Sequence, residues 1–207
     1  MKRTKFVLLA LVAALALMGA GYAAWTQSFT IGGHVQTGEL FVLITDEGII
    51  DVSLDGQTIS PRDAEDKYSF KYPTSSVELG DTSGENQTLQ KITYELDLIP
   101  GLKVTSQISF ENQGSMRTMP RISDVSGNDN IDVLQFTVNG VEVAASEGES
   151  KLQALAEAIA EAVGVLDVDA EPKTVTITQE LPIDSEGTEN LDLNWSVELV
   201  FEQYTGQ

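Results

Sequence analysis

The sequence contains no cysteine and a single histidine, His34. Without cysteine the chain can form no disulfide, has no thiol nucleophile and lacks the residue that carries a lipobox-type lipid anchor. A catalytic zinc site usually takes several histidines and a Ser-His-Asp triad needs one, so both would depend on His34, which directly follows Gly32-Gly33. Neither a GxSxG elbow nor a glycine-rich phosphate loop is present. These absences predict a protein that is not an enzyme and is stabilised by its hydrophobic core.

Basic residues are also scarce. The chain has 12 lysines and arginines against 32 aspartates and glutamates, a formal net charge of −20. Nucleic acid is excluded as a partner because binding it requires basic side chains that neutralise phosphates. Copies of so acidic a protein repel each other, so close assembly would need salt, divalent cations or strong non-ionic contacts. A solvated acidic surface, common in extracellular and salt-adapted proteins, is the alternative explanation.

The first residues have the organisation of a secretory signal peptide. Three basic residues precede an apolar run from Phe6 to Leu17, which is short for a permanent membrane anchor and is followed by small residues. Gly21 and Ala23 place small side chains at −3 and −1 of a cut after Ala23, whereas a cut one residue later would put a tyrosine at −3. We therefore expect residues 1–23 to be removed and the mature chain to begin at Ala24, secreted to the extracellular matrix or the cell surface. An uncleaved anchor is the alternative.

Alternation of apolar and polar residues dominates the rest of the chain and is typical of β-strands that bury one face. It is cleanest from Leu191 to Phe201. It also runs from Ile92 to Leu98 and from Leu102 to Phe110, two strands joined by, or flanking, the turn dipeptide Pro100-Gly101. Further strands are expected at Val175–Ile183, on both sides of the type I′ hairpin pair Asn139-Gly140, and at Leu40–Ile44, whose unbroken apolar run is typical of a fully buried strand.

Helical periodicity is a minority pattern. From Ser150 to Val163 apolar residues recur at helical spacing, with Ser146 and Glu149 available as a capping box and the following glycine as a stop. We therefore expect one amphipathic helix over residues 147–163. A single-turn helix is also expected to begin at Ser60-Pro61, where serine can cap and proline can take the first helical position.

Many short strands with turn residues between them predict an all-β fold. The most economical arrangement is a jelly-roll antiparallel β-sandwich with one amphipathic helix inserted. The length of the mature chain favours a single domain, which we place at residues 36–207, with residues 24–35 preceding it as an N-terminal segment.

The N-terminal segment has the pattern of a strand that pairs with another molecule. Trp25, Phe29 and Ile31 share one face of an extended chain, and Val35 lies just beyond the glycine pair that interrupts the strand. A strand with an apolar face and a flexible joint behind it can swing out and add to the sheet edge of a second copy. We therefore expect a donor strand for a neighbouring subunit. Folding back as the first strand of its own sheet is the alternative.

The loop around residues 124–132 is the best candidate for a cation site. Oxygen ligands at alternate positions in a glycine-containing loop suit calcium. The sequence departs from the EF-hand loop, which needs glycine at its sixth position and glutamate at its twelfth, where this chain has Asp129 and Gln135. An ordinary polar turn is the alternative. The candidate calcium ligands are Asp124, Asn128, Asn130 and Asp132.

Three stretches of the sequence carry a resemblance to a known family. The first is Gly19–Trp25 behind the leader, followed by Thr37–Leu40. The second is the proline-glycine turn at Leu98–Gly101 with the strand Ile108–Ser115, which ends in Asn-x-Gly-Ser, and the third is the C-terminal strand Leu191–Gln203. Together they resemble the TasA/camelysin family, whose leaders are cut by a SipW-type signal peptidase.

The resemblance implies a jelly-roll subunit of an extracellular fibre or biofilm matrix. In such fibres, and in related bundling pili of archaea, the N-terminal strand of one copy completes the sheet of the next, so the implied partners are further copies of this chain and, during export, the signal peptidase. Residues 45–90 would be an insertion relative to shorter members. Camelysin has been described as a casein-cleaving metalloprotease, but this sequence gives that activity no residues. The alternatives are therefore a monomeric secreted module that binds a surface or a polysaccharide and, third, a camelysin-like metalloprotease.

Overall fold

The alternating segments form strands that pair into two sheets. The structure is a computed structural model that describes residues 38–79, 88–184 and 191–206, apart from the side chains at 45–47, 79, 88 and 129. From Gly38 onward the chain forms one compact unit. The predicted signal peptide, its cleavage site and the predicted donor strand lie outside the described residues, and so do Gly21, Ala23, Ala24, Trp25, Phe29, Ile31, His34 and Val35.

The described part of the chain contains ten strands, in two antiparallel sheets. Their bounds are β1 (Val42–Leu54), β2 (Gln57–Thr58), β3 (Thr74–Leu79), β4 (Thr88–Leu98), β5 (Leu102–Asn112), β6 (Thr118–Gly127), β7 (Gln135–Val138), β8 (Val141–Glu142), β9 (Lys173–Glu180) and β10 (Leu191–Gln203). One sheet has the order β2-β1-β5-β9-β7-β8 and the other β3-β4-β10-β6. All neighbouring strands are antiparallel. The prediction of a β-rich antiparallel fold is confirmed.

The inward faces of both sheets contribute to one hydrophobic core. Trp195 of β10 is its centre: its ring stacks on Tyr94 of β4 at 4.4 Å and meets the edge of Phe136 of β7 at 6.0 Å. The Trp195 indole N–H donates to Oε1 of buried Gln179 at 2.7 Å, and the Tyr94 hydroxyl lies 2.5 Å from Ser106 Oγ. Aromatic side chains therefore fill the space between the sheets while their polar atoms keep partners.

The helices follow the predicted caps in one case and depart from them in the other. Helix α1 (Pro61–Tyr68) is longer than the single turn expected and is capped by Ser60, whose Oγ accepts from the Asp63 amide at 3.2 Å. Hydrogen bonds from Lys67 and Ser60 hold the pKa of the Asp63 carboxyl below its usual value. A short 3-10 helix spans Asp129–Val133.

Helix α2 (Lys151–Val163) is capped by Ser150, so the predicted capping box is wrong. Ser150 Oγ accepts from the Gln153 amide at 3.1 Å. Ser146 and Glu149 instead close a separate turn before the helix, in which the Ser146 amide donates to Glu149 Oε2 at 3.0 Å. The helix ends, as expected, at Gly164, with a φ of 55°.

One strand prediction needs correction and two are confirmed. Pro100-Gly101 lies between two strands as expected; these are β4 and β5, which belong to different sheets, so the turn carries the chain from one sheet to the other. The run Leu40–Ile44 is not fully buried: only Val42 is, since β1 lies near the end of its sheet. The hairpin at Asn139-Gly140 is confirmed, with φ values of 51° and 79° at the two residues.

The segment 45–90 contributes to both sheets. It supplies most of β1, all of β2, α1 and β3, and the beginning of β4. Whatever its relation to shorter proteins, it forms part of the sandwich and is not an appendage.

Candidate functional site

The chain enters the domain through a hydrogen-bonded clamp formed by residues 38–41 and the loop 112–115, here called the entry clamp. The Ser115 amide donates to the Glu39 carbonyl at 2.8 Å, and the Glu39 amide donates back to Ser115 Oγ at 2.8 Å. The amides of Gln113 and Gly114 both donate to the Phe41 carbonyl, at 2.8 and 3.0 Å. The entry clamp therefore holds the chain in line with β1 just before β1 begins.

Gly114 makes the entry clamp possible because the two backbones approach too closely for any side chain. A Cβ at position 114 would lie 2.3 Å from the Glu39 carbonyl oxygen and 2.7 Å from the Phe41 nitrogen. The loop is shaped by Asn112, whose Oδ1 accepts from the Gly114 amide at 3.0 Å and whose Nδ2 donates to the Met116 carbonyl at 2.8 Å. The segments 38–41 and 112–115, which are far apart in the sequence, thus meet in one contact.

Directly after the entry clamp, β1 presents an open edge. On one side β1 pairs with β5 along its whole length, whereas on the other it pairs with β2 only at Ser53 and Leu54, followed by the bond from the Ile59 amide to the Val52 carbonyl at 2.7 Å. From Val42 to Ile50 no described strand pairs with this outer side. We call this stretch the open edge.

Two long edges in the described sheets have no described strand beside them: the open edge and the outer side of β6 from Met119 to Gly127. At the far end of the same sheet β8 has two residues, and in the other sheet β3 has six. The edge of β6 begins under a two-way bridge between Thr118 and Leu166, with bonds of 3.0 and 2.8 Å. Natural proteins normally shorten, cover or charge such edges, because unpaired strand backbone recruits other strands. Two bulges in β1, between Ile44 and Asp46 and between Ile49 and Asp51, interrupt its regular pairing but leave the outer side unpaired.

A buried glutamine lies beside the open edge. Gln90 of β4 is fully buried and reaches across from the other sheet, so that its Nε2 donates to the Val42 carbonyl at 2.5 Å. Its Oε1 has no hydrogen-bond partner among the described residues. A buried acceptor left without a partner costs about 1–3 kcal/mol. The same Gln90 carboxamide therefore bonds to the open edge through its nitrogen and carries, on its oxygen, a buried acceptor without a partner among the described residues.

The calcium candidates lie on three consecutive parts of the chain: β6, the residue that precedes the 3-10 helix, and the 3-10 helix itself. Asp124 lies on β6 opposite Glu198, while Nδ2 of Asn128 donates to the Asp192 carbonyl on β10 at 2.9 Å. Asn130 and Asp132 lie in the 3-10 helix, where the Lys151 ammonium donates to the carbonyls of Asp132 and Leu134 at 2.6 and 2.7 Å. No group of three or more acidic or histidine side chains in the described ranges is placed to hold a metal ion.

The clefts in the described part of the chain are shallow and acidic. One, of about 480 Å³, lies between the β7–β8 hairpin and α2, with Glu142, Glu149, Glu157 and Glu161 in its lining. Another, of about 560 Å³, lies on the outer face of the β4 and β10 sheet and includes Tyr72, where burial and then Asp51 raise the pKa of the phenol. Neither lining holds a histidine, so neither presents the triad of a serine hydrolase or a histidine-rich zinc site.

Sequence reasoning identified the Asn-x-Gly-Ser motif but not its partner, and it missed Gln90. A signal for Gln90 was present, since Gln90 occupies the inward phase of the alternation that continues through Ile92, Tyr94, Leu96 and Leu98. A polar residue in that phase must find a partner inside the core or at an edge.

The described residues define an antiparallel, two-sheet β protein in which the strand that follows the chain entry is unpaired along most of its outer side. No helix among them is long and apolar enough to span a membrane. No protein-family model, curated protein or solved structure matches this chain.

Proposed function

We propose that the protein is a structural subunit of an extracellular fibre or biofilm matrix, which polymerises head to tail when the N-terminal segment of one copy pairs with the next. The observation that carries this proposal is the open edge of β1 next to the entry clamp. It supplies an acceptor for the strand predicted at residues 24–35. The proposed topology is a jelly roll completed by that strand, and export by a SipW-type signal peptidase belongs to the same proposal.

The energetics of such pairing are adequate but not excessive. Burying each of the large apolar side chains Trp25, Phe29 and Ile31 is worth ~1.5–3 kcal/mol, and each net hydrogen bond adds ~0.5–1.5 kcal/mol. One strand can therefore contribute on the order of 10 kcal/mol against an association cost of ~4–15 kcal/mol. Assembly should depend on protein concentration and on how well the segment is pre-organised.

The geometry of the entry clamp favours pairing with a neighbour over pairing within the same copy. A hairpin folded at Gly32-Gly33 with a two-residue loop would place Trp25 opposite Leu40 and would end before β1 begins at Val42. To reach the open edge of its own copy through a two-residue loop, the chain would have to turn near Gln36-Thr37, which lacks the residues that tolerate positive φ in a type I′ turn. The open edge is therefore easier to reach from another copy.

Electron microscopy of the purified chain beginning at Ala24 tests the proposal directly. Fibres should appear as concentration rises, under at least one combination of salt and pH. A protein that stays monomeric under every condition would favour the secreted binding module instead, and binding of polysaccharide would then be the next measurement.

Assembly should be promoted by salt, by divalent cations and by acidification. The leader carries three of the 12 basic residues and none of the 32 acidic ones, so the mature chain has nine against 32, a net charge of −23. Added salt shortens the Debye length from ~8 Å at physiological ionic strength, and carboxylates protonate as the pH falls toward the sequence pI of 4.1, so both changes reduce repulsion. Light scattering at matched ionic strength, with sodium or magnesium, separates screening from bridging. The fastest assembly at low salt and neutral pH would contradict this prediction.

The metalloprotease alternative can be tested at the one histidine. Replacing His34 with alanine should change nothing in a casein-cleavage assay, because neither wild type nor variant is expected to cleave casein. Cleavage by highly purified wild type that a chelator abolishes and that His34→Ala removes would establish the alternative.

A further inference from the structure

We infer that Gln90 is a positioning residue of the acceptor site, whose carboxamide takes the place of one peptide group between β1 and an incoming strand. The inference rests on the proposed function, because the incoming strand is residues 24–33 of a second copy. It adds to that function the residue that sets the register of the strand.

The argument begins with the hydrogen-bonding polarity of the side chain. A primary amide carries an N–H donor and a C=O acceptor, the same pair that a backbone peptide group presents. The Gln90 N–H is already used on the Val42 carbonyl, at 2.5 Å, on the side of β1 that faces away from β5. Its Oε1 is the remaining half of the pair and has no partner among the described residues.

The position of Gln90 then decides what can satisfy that oxygen. Gln90 lies on β4, in the sheet opposite β1, and its side chain bridges the two sheets at the end where the chain enters. A strand added along the open edge brings backbone N–H groups to this place at the spacing of a ladder. One of these N–H groups can bond to Gln90 Oε1. The Gln90 carboxamide then lies between β1 and the incoming strand at Val42, so the two strands are further apart there than at Ile44.

A buried acceptor also gives specificity. An incoming strand shifted by one residue would present a C=O or nothing to Oε1 and would leave it unsatisfied, while its apolar side chains would turn to the wrong face. The correct register satisfies both conditions together. Gln90 therefore determines where the strand docks.

The host for the test is the full chain beginning at Ala24 with Phe29→Asp, which blocks donation and leaves the acceptor intact. The probe is a fluorescent synthetic peptide of residues 24–33, and binding is measured by anisotropy. Gln90→Met in the host should weaken peptide binding about fivefold to tenfold. The matched control is Gln179→Met, which alters another buried amide with an unpaired atom, far from β1, and should change peptide affinity less than twofold.

Methylation of the peptide backbone identifies the bond itself. Methylation of one backbone nitrogen of the peptide should weaken binding to the host that keeps Gln90. The same methylation should weaken binding to the Gln90→Met host no further, because the two changes remove the same hydrogen bond. Should Gln90→Met fail to fold, the side-chain amide resonances of Gln90 in the unsubstituted host should shift on peptide binding while those of Gln179 stay in place.

Each outcome separates this inference from the proposed function. The role of Gln90 would be overturned, and strand donation left standing, by three results together. Gln90→Met would weaken peptide binding no more than Gln179→Met, no position of backbone methylation would be coupled to Gln90, and the Gln90 resonances would not shift. Hydrogen exchange of the host, measured with and without the peptide, shows which edge the peptide occupies. New protection at β3 or β6 in place of β1 would overturn the assignment of the edge. A host that never binds the peptide, together with a wild type that never forms fibres, would overturn both.

Discussion

Deletion of residues 24–33 should leave a folded protein that no longer forms fibres. Every fully buried apolar side chain in the described part of the chain lies between Val42 and Phe201, downstream of the deletion, so the core should survive. We expect melting close to that of wild type and a monomer by sedimentation at concentrations at which wild type polymerises. If the segment were instead the first strand of its own sheet, deletion would expose core side chains and cause aggregation or a large loss of stability.

Phe29→Asp is the finer form of this experiment. It places a charge where an apolar side chain should be buried on the neighbouring copy, at a cost of several kcal/mol, and should abolish fibres with little change in monomer melting. Thr30→Asp is the matched control, because it adds the same charge on the opposite face of the strand and should reduce assembly far less. Normal fibres from the deletion or from Phe29→Asp would reject strand donation as the mechanism.

Local patterns in the sequence predicted the elements of the fold well. The alternation at Leu191–Phe201 and Ile92–Leu98 became β10 and β4, which pair along the whole of β4, and the helical spacing at Ser150–Val163 became α2. These patterns succeed because each depends on side chains a few residues apart. The prediction of a cap at Ser146 was wrong, because Ser146 and Glu149 pair with each other in a turn that precedes the helix, and the cap is Ser150.

Contacts between distant segments could not be read from the same patterns. The turn at Pro100-Gly101 has identical chemistry whether its strands pair or pass to different sheets, so the sequence could not show that β4 and β5 lie apart. The open edge depends on which of the described strands lie beside β1, and a strand carries no local mark of its neighbours. The calcium candidates have ligand chemistry in sequence, but Asn128 is engaged with β10 and a lysine bonds to the Asp132 carbonyl.

Gly114→Ala should disrupt the entry clamp. Of the single methyl groups that could be added to this part of the chain, we expect this one to lower the stability of the domain most. The new Cβ would meet backbone atoms, 2.3 Å from the Glu39 oxygen and 2.7 Å from the Phe41 nitrogen, so the two segments must separate. Separation breaks the bonds between Ser115 and Glu39 and those to the Phe41 carbonyl, each worth ~0.5–1.5 kcal/mol. We expect a loss of ~2–4 kcal/mol, which for a domain of this size lowers the melting temperature by roughly 5–15 °C.

The effect on assembly should exceed the effect on stability. At a temperature where Gly114→Ala is still folded, the chain upstream of β1 is no longer held in line with it, so the donor segment leaves in many directions and fibre growth should stop. Gly38→Ala is the matched control, since its Cβ would meet only the Met116 side chain, 2.2 Å from Cγ, which can rotate away. Ser115→Ala, which removes the hydroxyl and keeps the backbone bonds, should fall between the two. A Gly114→Ala protein that loses stability as expected but polymerises like wild type would show that the direction of chain entry has no part in assembly.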